Sequence, residues 1–320
     1  MAHACAYECA QSPAEFVRMD ARLRDLEDAA MCANSSLRLD VCRAMGVDDE
    51  TLSIWQAGLH LEGHEGAAHY DMGDYPSVRA HPHEAAAELD RLTEEGKIFW
   101  HGEHTPTDLD ICPTTLILKN QRARLVHDWT RAGLNDFLVN PRTQYHSMDD
   151  FLSHLMPGSF MAGLDIKDCF YHWPVRGDSR RRLGVRHPLT HKKGVYLFLP
   201  PGLASAPGHN ETFVEKAVTA ATRMLQLNVA RCVDDLRFSN KGEGPVPNDE
   251  ALLNVQLECV RGNLEAMGIR IHTKPGKLIR ATQEIDWLGW AVSTVKLRVS
   301  LTESKQLKGY GLCLHLLECH

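Results

Sequence analysis

Two adjacent carboxylates set between β-type runs constrain this chain more than any other feature. In Asn228–Asn240, NVARCVDDLRFSN, the apolar residues Val229, Cys232 and Val233, then Leu236 and Phe238, flank Asp234 and Asp235. The pattern reads as a tight hairpin with both acids at its tip. Carboxylates held that close repel in a low dielectric, so a fold that keeps them together needs a cation beside them. A divalent metal is the obvious candidate, against the plain alternative of a solvated turn.

Further acids lie in Phe160–Val175, FMAGLDIKDCFYHWPV, an apolar run broken by Asp165 and by Lys167-Asp168. A mostly apolar strand with an Asp at its exit gives up stability to keep that charge. Tyr196–Pro207, YLFLPPGLASAP, runs from a strand into a Pro/Gly turn, and Gly208–Asn228 reads as a helix with Val214, Val218, Ala221 and Leu225 on one stripe. Asp249–Met267 is a second helix, stopped by Gly268; Ile269–His272, Asp286–Ser293 and Lys296–Leu301 are strand-like, the last two joined as a hairpin. The order is β-α-β-β-α-β, which sets the first and third strands side by side and brings Asp165 to Asp234 and Asp235. Three carboxylates at adjoining strand ends make an oxygen-rich site for two Mg²⁺ ions about 4 Å apart, with Mn²⁺ as a substitute. Such a site suits nucleotidyl transfer.

Upstream, Val17, Leu23, Leu26, Ala30, Leu37, Val41 and Met45 recur at helical spacing, with a break at Asn34-Ser35-Ser36 and a stop at Gly46, so two helices are expected. Gly58–Tyr75 is rich in Gly and His without a period, and a domain boundary is expected there. Glu84–Glu95 is a short helix closed by Gly96. Thr114–Leu118 and Arg124–Val126 form a hairpin whose tip offers Lys119, Arg122 and Arg124, side chains able to grip phosphate. His3, Cys5 and Cys9 match no common zinc-finger spacing.

The net charge of −7 disfavours nucleic acid as a single number, but it is unevenly spread: residues 1–75 hold 14 acids and 5 bases, leaving 28 acids and 30 bases in 76–320. Arg176–Lys193 alone carries seven bases against Asp178, the footprint of a polyanion surface or of a solvated loop. Ten scattered cysteines fit a reducing compartment, and no apolar run approaches the roughly 20 residues of a membrane helix, so an intracellular protein, cytoplasmic or nuclear, without a membrane partner is expected.

From about Tyr75 to Lys305 the chain resembles the reverse transcriptase domain of retrotransposons of the gypsy-like and DIRS-like kinds. LVHDWTRAGLN (125–135) is similar to the fingers motif, LDIKDCFYHWPV (164–175) to the first palm motif, and LPPGLASAP (199–207) to the template-and-nucleotide motif. CVDDLRF (232–238) is similar to the paired-aspartate motif and DWLGWAV (286–292) to the primer grip, and all five stand in the family's order. Two positions depart from the pattern: Pro201, where an aromatic or Gln is usual, and Cys232, where an aromatic is usual.

The resemblance implies an α+β right-hand polymerase, with fingers and a ferredoxin-like split β-α-β palm (75–305), a helical N-terminal extension (1–74) and an incomplete thumb (306–320). It implies an RNA-directed DNA polymerase that takes dNTPs and an RNA or DNA template with a primer. Asp165, Asp234 and Asp235 would bind the metals; Lys119 and Arg124 would contact the triphosphate, and Pro201 and Gly202 would border the nucleotide. Phe170 would lie under the sugar and reject a 2′-hydroxyl, and either Lys274 or Lys277 would match the family lysine that protonates pyrophosphate. The closing GYGLCLHLLECH reads as a broken end, implying a truncated copy. The alternatives are a catalytically silent nucleic-acid-binding remnant and, behind it, a metal-dependent hydrolase.

Overall fold

The computed structural model describes residues 13–64, 70–102, 105–106, 108–119, 122–240 and 249–309. His3, Cys5 and Cys9, the middle of the 119–122 turn, and all of the expected thumb beyond residue 309 lie outside them. The strands are β1 (Ile98–Trp100), β2 (Thr114–Lys119), β3 (Arg122–His127), β4 (Met161–Asp165), β5 (Gly184–Arg186), β6 (Lys193–Tyr196), β7 (Leu227–Cys232), β8 (Asp235–Asn240), β9 (Ile279–Thr282), β10 (Glu284–Trp287), β11 (Trp290–Ser293) and β12 (Arg298–Leu301). Every pairing between these strands is antiparallel, so the protein is of the mixed α+β class. The chain divides into two compact units, one of residues 1–143 and 168–213, the other of 144–167 and 214–320.

The first unit holds a sheet of order β1-β6-β5 and the β2-β3 hairpin. Met31, Ile111, Val195, Leu197 and Phe198 form one part of its core, and Val78, Ala85 and Leu116 another under the hairpin. The Gly- and His-rich stretch runs through this unit, bridging Leu59 to Val175, Gly63 to Leu138 and Asp71 to Ile111.

Helix Pro13–Asn34 forms where helical spacing places it, but a different face is buried. Val17 and Leu26, expected to face inward, are exposed, while Glu27 and Met31 are buried. Charge decides the face. Glu27 accepts from His101 Nε2 at 2.8 Å and from Arg181 at 2.8 Å, with Arg180 at 3.5 Å; Asp28 holds Arg180, and Asp20 holds Arg181 at 3.1 Å. Removing Glu27 from such a network would leave the buried guanidinium groups of Arg180 and Arg181 short of a counter-charge.

Ion pairs within the unit also engage most bases of Arg176–Lys193, the segment whose charge suits a polyanion surface or a solvated loop. Arg182 pairs with Asp110, Arg186 and Lys193 with Asp71, and Arg176 with Asp178, so six of the seven bases are matched by the unit's own acids. Arg180 and Arg181 are buried. Four of the six paired bases, Arg180, Arg181, Arg186 and Lys193, reach acids of the N-terminal segment.

The second unit is built on a four-stranded sheet of order β7-β8-β4-β9. Its chain order is strand, helix, hairpin, helix, strand, with the first and third strands adjacent, as the sequence pattern requires. Helix Ala206–Thr222, shorter than the expected Gly208–Asn228 at its far end, leads into β7, and helix Glu250–Ala266 starts at Asp249, whose carboxylate caps the Ala251 N–H at 2.7 Å. Leu164, Leu236 and Phe238 point from one face of the sheet, Leu253, Leu257 and Val260 lie along the helix packed against it, and all six are fully buried. The opposite face buries Met161 and Ala230 with Phe151, Ile285, Trp287 and Val292.

Two expected strands are corrected. Ile269–His272 contributes only the bridge Ile271–Ile166, and the fourth strand is β9, further along. Asp286–Ser293 is not one strand: Leu288 (φ 49) and Gly289 (φ 81) turn it into the β10-β11 hairpin. Two successive positive φ values make the tight turn that suits a twisted hairpin.

Candidate functional site

Asp165 lies opposite Asp235 in the antiparallel pairing of β4 with β8, and Cys232 lies opposite Asp235 across the β7-β8 hairpin. Val233 and Asp234 therefore form a two-residue loop, with Val233 at φ 61. A positive φ at the first loop position suits a type II′ turn, normally a glycine position, and a β-branched residue there is strained by about 1–2 kcal/mol. Ile166 N donates to Asp234 O at 2.8 Å and ties the loop to the exit of β4. The pairing thus gathers three acids, 69 residues apart in sequence, at one end of the sheet.

The charges there are only partly balanced. Asp165 is 4% exposed; its Oδ2 accepts from Lys277 Nζ, while its Oδ1 is buried and has no hydrogen-bond partner among the described residues. His272 Nε2 lies 3.7 Å from Oδ1. Burial, then the charge of Asp165, raises the Asp234 carboxyl above its ordinary range. Burial raises that of Asp235 as well, against the opposing pull of Arg237. The bond to Asp165 raises Lys277 and keeps it protonated. Of the two candidate lysines, Lys277 meets the acids; Lys274 is exposed and contributes its carbonyl to the Lys277 N–H at 3.0 Å.

Among the described residues no group of three or more His, Cys, Asp or Glu side chains stands assembled as a metal cage. Lys277 occupies one oxygen of Asp165, and Arg237 pairs with the Asp235 carboxylate. Asp165 Oδ1 and the carboxylate of Asp234, which has no ion-pair partner among the described residues, remain to meet a ligand. An orphaned buried carboxylate oxygen beside a half-buried carboxylate is a hard, oxygen-only donor set that fits Mg²⁺ or Mn²⁺. The sequence matches no protein-family model and no curated protein. The site's chemistry therefore rests on its own geometry.

The other expected site residues lie in the first unit. Arg124, Pro201 and Gly202 line one cleft of about 120 Å³ together with His127, Tyr171 and Tyr196. Lys119, at the end of β2, is exposed and does not line it, nor does Phe170, half-buried in the turn Cys169–His172. The fingers-like motif fixes the Pro/Gly turn. Trp129 Nε1 donates to Pro201 O at 3.3 Å, Asn135 Nδ2 to Gly202 O at 3.3 Å, and Ala204 N to Asn135 Oδ1 at 2.7 Å. Gly202 has φ +95 and would place a Cβ 3.3 Å from the Trp129 ring, which confines the position to glycine.

Three residues were not singled out by sequence reasoning. His127 bridges Thr114 Oγ1 at 2.9 Å and the Tyr196 hydroxyl at 2.6 Å, and burial pushes its imidazole down to about 4. Neither partner adjoins it in sequence, so only the fold shows the chain. Gly163 and Arg237, by contrast, had a signal: each stands two residues from an acid, as Gly163-x-Asp165 and Asp235-x-Arg237, and so shares its face of the sheet.

Proposed function

We propose that the chain acts as an RNA-directed DNA polymerase domain of the retrotransposon kind, an intracellular enzyme that extends a primer on an RNA or DNA template with dNTPs. In this reading the second unit serves as a ferredoxin-like split β-α-β palm and the first as fingers, in the right-hand manner. The observation that carries it is the pairing of Asp165 with Asp235 across β4 and β8, with Asp234 at the adjoining tip. A strand exit and a hairpin that bring carboxylates together without fully neutralising them supply what phosphoryl transfer needs from a protein, positioned charge.

Asp165 and Asp234 would hold the divalent ions, which when bound supply Lewis-acid activation of the primer 3′-hydroxyl and neutralise the triphosphate. The remaining roles belong to side chains. Arg124 and Lys119, on one hairpin, grip the triphosphate; Phe170 sits under the sugar and turns away a 2′-hydroxyl by steric clash; Gly202 leaves room at the cleft it lines with Arg124. Lys277 Nζ keeps a proton within the acidic cluster for the leaving pyrophosphate.

Primer extension on RNA and DNA templates, with Mg²⁺ and with chelator, tests the reading. Asp234→Asn should lower extension by about 10²- to 10³-fold or more while far-UV circular dichroism is unchanged. Equal extension by wild type and D234N sinks the assignment. A second reading, a template-binding domain without turnover, is favoured by one observation: Asp165 and Asp235 each already hold a protein cation. Template binding with no extension by the wild type selects it.

A further inference from the structure

Among the described residues, β12 is the last strand of its sheet, paired with β11 along one edge. In an antiparallel pair, opposite residues alternate between exchanging both backbone bonds and exchanging none. Thr302 N donates to Gly289 O at 3.0 Å, one step beyond the pairing of Leu301 with Trp290. By that alternation Arg298 and Ser300 bond to β11, while Val299 and Leu301 turn their backbone N–H and C=O groups to the outer edge. Gln306 Nε2, on an exposed side chain, donates to one of these groups, Leu301 O, at 2.6 Å.

The side chains at this edge are apolar on one face. Residues opposite one another in a sheet share a face, so Ile285, Val292 and Val299 form one row across the three strands, and Trp287, Trp290 and Leu301 form a second. Ile285, Trp287 and Val292 are buried, whereas Trp290, Val299 and Leu301 are 37%, 41% and 39% exposed. The core built on β10 therefore runs out into solvent at β12. Leu297 and Leu307, on either side of β12 in sequence, are exposed as well. An outward-facing backbone edge joined to an apolar face is the surface that a further strand covers.

We infer that this strand is β12 of a second copy of the chain, laid antiparallel about a two-fold axis at Ser300 so that two three-stranded sheets join into one of six strands. The axis sets Val299 against Leu301 of the second copy, and Leu301 against its Val299. All four have outward backbone groups, so the two pairs close four hydrogen bonds. Gln306 Nε2 marks one acceptor of this set, and the two lone pairs of Leu301 O can serve both donors. Each apolar row then runs on without a break: Ile285, Val292 and Val299 of one copy meet Leu301, Trp290 and Trp287 of the other. Other axes do worse. One at Arg298 opposes two guanidinium groups, and one at Val299 sets Leu301 against Leu297, which stands outside β12 at φ 49. The strand is thus complementary to itself, as an isologous interface requires.

Sedimentation velocity on the full chain over a concentration series, with reductant present, tests this. The wild type should show a monomer–dimer equilibrium. Val299→Pro removes an outward N–H and none of the bonds to β11, and should raise the dimer dissociation constant by about tenfold or more. Ser300→Cys, under mild oxidation, should give a covalent dimer linked at position 300 in both copies, mapped by mass spectrometry of its peptides, and Arg298→Cys should give no link at 298. A monomer at every concentration overturns the inference, even one that takes an extended peptide of another protein on this edge. So does a dimer whose affinity Val299→Pro leaves unchanged, or one in which Ser300→Cys forms no link. Where V299P fails to fold, the comparison of S300C with R298C decides. Primer extension judges the polymerase reading separately.

Discussion

The Arg-rich segment of the first unit and the acidic hairpin of the second treat clustered charge in opposite ways. Between Arg176 and Lys193, six of seven bases find acids within the unit, and the innermost, Arg180 and Arg181, share Glu27 with His101 in a dry network. At the hairpin, three acids meet two cations, and Asp165 Oδ1 is left without a hydrogen bond among the described residues. The buried heart of a completed charge system is architecture: its removal costs stability. An incomplete one costs stability while it stands, and the deficit is the mark of a binding site.

The largest expected effect lies in the completed system. Glu27→Ala leaves Arg180, Arg181 and His101 facing a gap, and should destabilise the protein by about 3–5 kcal/mol, the scale of a broken buried ion network. The midpoint of urea unfolding measures it. A loss under about 1 kcal/mol would mean that water or another acid completes the network, and the contrast between the two regions would break.

The first unit also carries polar groups that burial strips of charge. His127, buried between Thr114 and Tyr196, is pushed down to about 4, while an unfolded chain takes the proton near 6.5. Between those values the unfolded state binds more protons, so stability falls as pH drops from 6.5 towards 4 and is fully present above 6.5. The difference amounts to about 3 kcal/mol over that window. His127→Gln, which can keep a bond to one neighbour, should flatten this part of the curve; a wild-type curve already flat there would show that the imidazole is charged in the fold.

How much of this was legible follows the same division. The acidic hairpin could be read because its signals are local: β-type runs, adjacent acids and a partner strand placed by element order. That order makes β4 and β8 neighbours, while the register that sets Asp165 against Asp235 is seen only in the fold. Helix Pro13–Asn34 misled because hydrophobic period assumes that apolar side chains choose the buried face, and here Glu27 outranks Val17 and Leu26 through partners 74 and 154 residues away. The fourth strand of the second unit is hidden in the sequence for a related reason. Ile269–His272 is apolar enough to read as a strand, yet Ile279–Thr282, with exposed Arg280, is the segment that pairs with β4. Edge strands carry little hydrophobic signal, and their pairing partner decides them.

The smallest expected effect has the opposite sign to the first. Asp234 is half-buried beside Asp165, and its raised carboxyl means that the ionised form is disfavoured in the fold. Asp234→Asn should therefore stabilise the chain at pH 7, by about 1 kcal/mol or less once screening by water is allowed for. Because the wild-type carboxyl takes up its proton more readily when folded, lowering the pH relieves the same repulsion, and the advantage of the variant should shrink as the pH falls through the raised value. Unfolding midpoints of the two proteins at neutral and acidic pH measure this. A variant that is less stable than wild type at pH 7 would place Asp234 with Glu27, as a partnered structural acid, and the hairpin would lose the charge deficit that sets it apart.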